Sequence, residues 1–166
     1  MISRKLMPLL ALPVLVGAIA LSASPAAAST DSTQDQVDAV IAEFGGTQTA
    51  ANEVSWDDGA VVLTLAADDP AARFADSNGI TSSSVGACPS GSFCAYSGTS
   101  YTGSRLTFTA CTTGNPVAAL GTVRSLVNSR AVGTVRAYAG WSTIATLAPS
   151  TGRASVSAGI DKLNCS

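Results

Sequence analysis

The chain contains no histidine. That excludes Ser-His-Asp and Cys-His catalysis, in which an imidazole carries the proton, and it excludes the usual His-bearing zinc sites. No glycine-rich phosphate loop precedes a helix. Charged residues are only 12% of the chain and aromatics 5%. Two carboxylate pairs are present, Asp57-Asp58 and Asp68-Asp69, but adjacent residues of a strand or turn point apart. Asp58-Gly59 and Asp69-Pro70 are moreover turn dipeptides, so both pairs read as turn chemistry rather than catalysis. These absences point away from an enzyme, with no catalytic residue and no cofactor expected. Arg124, Arg130 and Arg136 are few and lack the interleaved aromatics of single-strand binders. They read as solvated strand positions, and nucleic acid is not an expected partner.

Long apolar runs are equally scarce. The main one covers residues 6–23, follows Arg4 and Lys5, is broken by Pro8, Pro13 and Gly17, and leads into Ala26-Ala27-Ala28. A basic start, an apolar middle and an Ala-x-Ala site predict a signal peptide over residues 1–28. The run is short for a membrane span, and no positive stop-transfer flank follows it. The expected product is secreted and extracellular, without membrane association after cleavage. It has 138 residues, enough for one compact domain with a small appendage.

Four cysteines remain: Cys88, Cys94, Cys111 and Cys165. An even number in an exported chain predicts two disulfides rather than a metal site. Three pairings are possible. Cys88 with Cys94 is favoured because Pro89 and Gly91 let that short loop bend back, which leaves Cys111 with Cys165. The longer loop would contribute about 3 to 4 kcal/mol on the chain-entropy model.

Charge is unevenly distributed. Residues 29–86 carry ten acids against Arg73, a net of −9, whereas residues 87–166 carry six cations against Asp161, a net of +5. Either the two parts attract each other or the basic part meets an acidic partner, unless both are ordinary solvated surfaces.

In the acidic part, Thr33 and Gln36 form a capping box. Val37, Val40, Ile41 and Phe44 follow at helical spacing before Gly45-Gly46 ends the pattern. A helix is predicted over residues 33–44. Two apolar stretches, 52–56 and 60–65, flank an Asp58-Gly59 turn that would pair Trp56 with Val61 and Val54 with Leu63. The result is a helix-plus-hairpin appendage, which a hairpin's marginal stability requires the helix and the next domain to cover. A polar linker then runs to a boundary near residue 86. Beyond it, short alternating runs at 93–96, 106–110, 123–127, 135–138, 144–147 and 154–156 carry an all-β signature. Ala95-Tyr96-Ser97-Gly98 recurs 42 residues later as Ala137-Tyr138-Ala139-Gly140, a period suited to a four-strand unit.

Between Cys88 and Gly103 the chain places a Cys-x5-Cys loop before Tyr96, then Tyr101 five residues on, then Gly103. This order resembles the opening Greek-key motif of βγ-crystallin-like domains and, with its cysteines, the secreted βγ-crystallin-type peptidase inhibitors active on bacterial metalloproteases. The resemblance covers about the last half of the chain. It implies a mainly β, two-motif Greek-key sandwich over residues 87–166, preceded by the small appendage of residues 29–86. Tyr101 would pack on Tyr96, and Gly103 would take a positive φ. The second copy departs from the pattern, with Thr143 in place of the second aromatic. A looser hairpin is expected there, with Trp141 supplying the missing ring.

Many domains of this type bind calcium, but the resemblance does not carry that property here. The aligned stretches are residues 120–125, where only Ser125 matches, and residues 160–165, where only Asp161 is acidic. Calcium takes six to eight oxygens, and Arg124 puts a cation beside the first stretch. No metal site is expected. The implied function is reversible inhibition of a secreted peptidase, of metallopeptidase type, by a monomeric chain. The alternative is a non-inhibitory extracellular domain that binds a wall polymer or cell surface. Rigid loops at residues 89–93 and 112–116 are candidate contact segments. No family motif maps an inhibitory residue onto this chain.

Overall fold

The structure, a computed structural model, describes residues 28–66, 87–157 and 159–166. Most of the predicted signal peptide, the predicted linker and Asp68-Asp69 lie outside the described residues.

Helix α1 spans Ala28–Phe44. It begins five residues before the predicted cap, because no glycine or proline between Ala28 and Thr33 stops it. Thr33 is consequently buried inside the helix. Val37 is fully buried, and Val40 and Ile41 pack against the core, the stripe that the 3.6-residue period predicts. Gly45, at φ 69°, ends the helix by donating to Ile41 O at 2.9 Å. Gly46 passes so close to the next strands that a Cβ there would lie 2.8 Å from Trp56 Nε1. That indole N–H donates to Phe44 O at 3.1 Å and satisfies a carbonyl left open at the helix end.

Three antiparallel strands follow: β1 (Thr47–Ala50), β2 (Glu53–Trp56) and β3 (Val61–Thr64). Between β2 and β3, Ala60 N–H bonds Asp57 O at 3.0 Å, while Asp58 and Gly59 take φ of 51° and 91°. Asp57 also takes a positive φ of 51°, so the four residues between Trp56 and Val61 turn through three left-handed positions, which Asp and Gly tolerate. Trp56 pairs with Val61 and Val54 with Leu63, in the predicted register.

Eight further strands form the rest: β4 (Phe93–Tyr96), β5 (Arg105–Phe108), β6 (Asn115–Pro116), β7 (Ser125–Asn128), β8 (Val135–Ala139), β9 (Ser142–Leu147), β10 (Thr151–Arg153) and β11 (Lys162–Cys165). They make a mainly β sandwich of two antiparallel sheets, ordered β1-β2-β3-β5-β4-β7-β10 and β6-β11-β8-β9. In each run of four strands from β4 onward the third crosses over: β6 joins the second sheet and β10 the first. The two halves are thereby interlocked.

The N-terminal hairpin extends the first sheet. β3 pairs along its length with β5, from Val61 opposite Phe108 to Thr64 opposite Arg105, and Thr109 N–H adds a bond of 3.0 Å to Ala60 O. The acidic and basic parts thus meet through a backbone ladder and one shared core, which contains Val37, Val54 and Leu63 together with Phe93, Leu106 and Leu163. Phe93 and Phe108, opposite each other on β4 and β5, stack at 4.9 Å. Among the described residues, no helix is long and apolar enough to cross a membrane.

The strand expected at residues 154–156 lies three residues earlier. Val156 is buried and its N–H bonds Arg124 O at 2.8 Å, but the ladder with β7 is made by Thr151–Arg153. Gly152 lies against Tyr101: a Cβ there would lie 2.7 Å from its hydroxyl, so a side chain would displace the ring.

Candidate functional site

The Cys88–Cys94 disulfide closes a loop whose cysteine Cα atoms are 5.8 Å apart. Inside it Gly91 takes φ 81°, and Ser92 N–H turns back to Pro89 O. Residues 89–91 are exposed, whereas Ser92 and Phe93 are buried. The neighbouring strand end braces the loop. Gly91 N–H bonds Ser129 O at 3.0 Å, and Ser129 N–H bonds Ser92 O at 2.9 Å. Arg130 Nη1 then donates to Gly91 O at 2.7 Å and to Thr109 O at 2.9 Å. Arg130 is therefore a structural clamp and not the solvated strand position its sequence context suggests. Its partners are backbone carbonyls, which no residue pattern reveals. Arg124, just before β7, and Arg136, on β8, are exposed.

From Tyr96 the chain folds back over itself. Ser97 N–H bonds Ser104 O and Gly98 N–H bonds Thr102 O, both at 2.9 Å, and Ser100 and Tyr101 take left-handed φ of 53° and 65°. Gly103 closes the fold at φ 75°, where an added Cβ would crowd Ser97 Oγ and Gly98 N. The Tyr101 ring meets Tyr96 edge-on, with centroids 6.0 Å apart. Ser125, fully buried at the start of β7, holds the turn from beneath: its Oγ accepts from Tyr101 N–H at 2.9 Å and donates to Gly98 O at 2.7 Å. Ser100 N–H reaches Ala154 O at 2.7 Å, so the hairpin is also tied to the second half.

Burial raises the pKa of the Tyr96 hydroxyl above its usual 10.0, with the Arg105 guanidinium the main opposing influence. Its contribution to stability is fully present below the unfolded pKa near 10 and is lost as pH rises through the higher folded value, because the unfolded chain ionises first. Urea titrations from pH 8 to 12 should therefore show wild type losing stability above pH 10 more steeply than Tyr96→Phe. Parallel losses in the two proteins would contradict this.

The second loop, after Cys111, is held as firmly. The Cys111–Cys165 disulfide brings its Cα atoms to 4.9 Å across 54 residues. Buried Asn115 donates to Thr112 O at 2.7 Å and Leu163 O at 3.0 Å, while Gly114 N–H bonds Asn164 Oδ1 at 2.7 Å. Residues 112–114 and Pro116 stay exposed.

The second hairpin corrects the expectation of a looser copy. β8 and β9 are joined by Gly140 and Trp141 alone, with Ala139 pairing Ser142. That turn is too short to fold back over Tyr138. Trp141 is instead 98% exposed, and the Lys162 ammonium lies 5.2 Å from its ring and 5.8 Å from that of Tyr138.

Of the residues aligned with calcium sites, Asp161 Oδ2 accepts Gly140 N–H at 2.6 Å, and Ser125 Oγ is committed to the folded hairpin. Among the described residues, no group of three His, Cys, Asp or Glu is placed to hold a metal ion. Asp57 and Asp58 are exposed turn residues. A cavity of about 230 Å³ opens between the end of α1, β3 and the 118–119 turn. Its lining includes Phe44, Trp56, Val61 and Leu106, and Asp57 is the one titratable group there among the described residues.

Compared with known proteins, residues 81–142 match the model of peptidase inhibitor family I36. That is a family of inhibitors, not of enzymes, and its partner class is a peptidase. The match runs across the disulfide loop, the folded Tyr96–Tyr101 hairpin, β4 to β8 and the tip at Trp141. No curated protein and no solved structure matches the chain.

Proposed function

We propose that this chain, whose residues 81–142 match peptidase inhibitor family I36, is exported and acts outside the cell as a reversible, monomeric inhibitor of a metallopeptidase. The family match over the braced segment is the observation that carries the reading. The surroundings support it. The exposed loops at residues 89–91 and 112–114 are fixed by a disulfide, by backbone bonds and by Arg130 or Asn115, so little ordering entropy is lost on docking. The exchanged third strands, β6 and β10, and the hairpin folded between Tyr96 and Gly103 fit a two-motif βγ-crystallin-type Greek key. Export suits a chain that opens on a basic, then apolar, then Ala-rich segment and carries two disulfides.

The hairpin of β2 and β3 acts in this reading as an extension that covers the β5 edge, since an uncovered edge strand invites pairing with other chains. The reading is tested by assaying the oxidised, exported chain against a panel of extracellular metallopeptidases and serine peptidases. Saturable inhibition of at least one metallopeptidase, reversed on dilution, is the expected result. Inhibition confined to serine peptidases would overturn the metallopeptidase assignment while keeping the inhibitor.

A further inference from the structure

Among the described residues, Trp141 is the most exposed large apolar side chain. It is 98% exposed, against 72% for Val132 and 37% for Phe44. Turn chemistry does not ask for it. Gly140, at φ 59°, supplies the left-handed first position of the two-residue turn, and the second position accepts most residues. The tip itself is firmly held from below by Asp161 and the first residue of β11. Asp161 Oδ2 takes Gly140 N–H at 2.6 Å, Asp161 N–H bonds Tyr138 O at 2.9 Å, and Lys162 pairs with Tyr138 in the ladder. Lys162 also sets its ammonium 5.2 Å from the indole. An exposed tryptophan on a rigid two-residue tip, with a cation at its base, has the composition and preorganisation of a binding hot spot.

The geometry points to Trp141 as the anchor with which this chain engages its peptidase, an inference that rests on the inhibitor reading above. The indole enters an apolar side-chain pocket of the enzyme, and Lys162 meets a carboxylate at the pocket's rim. The family match over residues 81–142 includes this tip, which is what ties it to a peptidase partner. Tyr138, beneath the same ammonium, positions Lys162 without entering the pocket.

The test compares the oxidised wild type with Trp141→Ala and Trp141→Phe against a peptidase that the wild type inhibits. Trp141→Ala should weaken inhibition by about thirtyfold or more with an unchanged melt, and Trp141→Phe should retain part of the affinity. Acrylamide should quench the tryptophan emission of the free wild type strongly and that of the complex much less. Equal inhibition by wild type and Trp141→Ala overturns the anchor and leaves the inhibitor reading standing. No inhibition of any peptidase by the wild type overturns both. Co-sedimentation with cell envelopes that Trp141→Ala abolishes, without inhibition, overturns the anchor in favour of a polysaccharide platform.

Discussion

Replacing Cys111 and Cys165 together by serine is expected to lower the unfolding free energy by about 4 kcal/mol, the chain-entropy value for a loop of this length. The bridge spans 54 residues and joins the segment after β5 to the last strand, β11. β11 is an interior strand of the second sheet, between β6 and β8, so its detachment frees both neighbours. The unfolded chain also expands when the bridge is gone, so the denaturant slope m should rise as the midpoint falls. Equilibrium urea unfolding of the double variant checks both effects. A midpoint within experimental error of wild type would contradict this stabilisation through the unfolded chain.

Phe108→Ala is expected to cost about 3 to 5 kcal/mol, the range for removing a buried aromatic from a packed core. Phe108 is almost fully buried, stacks on Phe93 at 4.9 Å and stands opposite Val61 across β3 and β5. The cavity would therefore open where the N-terminal hairpin joins the rest of the sheet. Phe108→Leu should cost about 1.5 kcal/mol or less, since it keeps most of the volume. Chemical denaturation of the two variants measures the difference. Similar losses in both would mean that ring packing at this junction is unimportant.

Elements with internal periodicity were the ones legible in the sequence. The Val37, Val40 and Ile41 stripe and the Asp58-Gly59 turn determine their structure through neighbours a few residues away, and α1 and the β2–β3 register follow them. β1 gives no such signal, because all four of its residues are exposed and nothing alternates. β6 is two residues long, and β10 is built around Gly152, whose missing side chain makes room for Tyr101. Which strand the hairpin joins is a long-range pairing, and no local pattern records that β3 lies beside β5.

At the candidate site the division is similar. Tyr96, Tyr101 and Gly103 behind the cysteine loop form a local unit whose spacing reflects one folded hairpin. Arg130 and Ser125 act on it from residues distant in sequence, Arg130 on backbone carbonyls and Ser125 on backbone groups of Gly98 and Tyr101. Their roles could be read only from the fold. Analogy with the first hairpin gives Trp141 a ring-on-ring contact. That analogy failed because the second turn is two residues long.

The most direct test of the central claim is a titration of an extracellular metallopeptidase, held well above the inhibition constant, with increasing amounts of the oxidised chain. Activity should fall linearly to an end point near one inhibitor per enzyme and return after dilution, with the chain recovered uncleaved. Full activity at tenfold molar excess across the whole metallopeptidase and serine peptidase panel, from a chain shown to be folded by a cooperative melt, would contradict it.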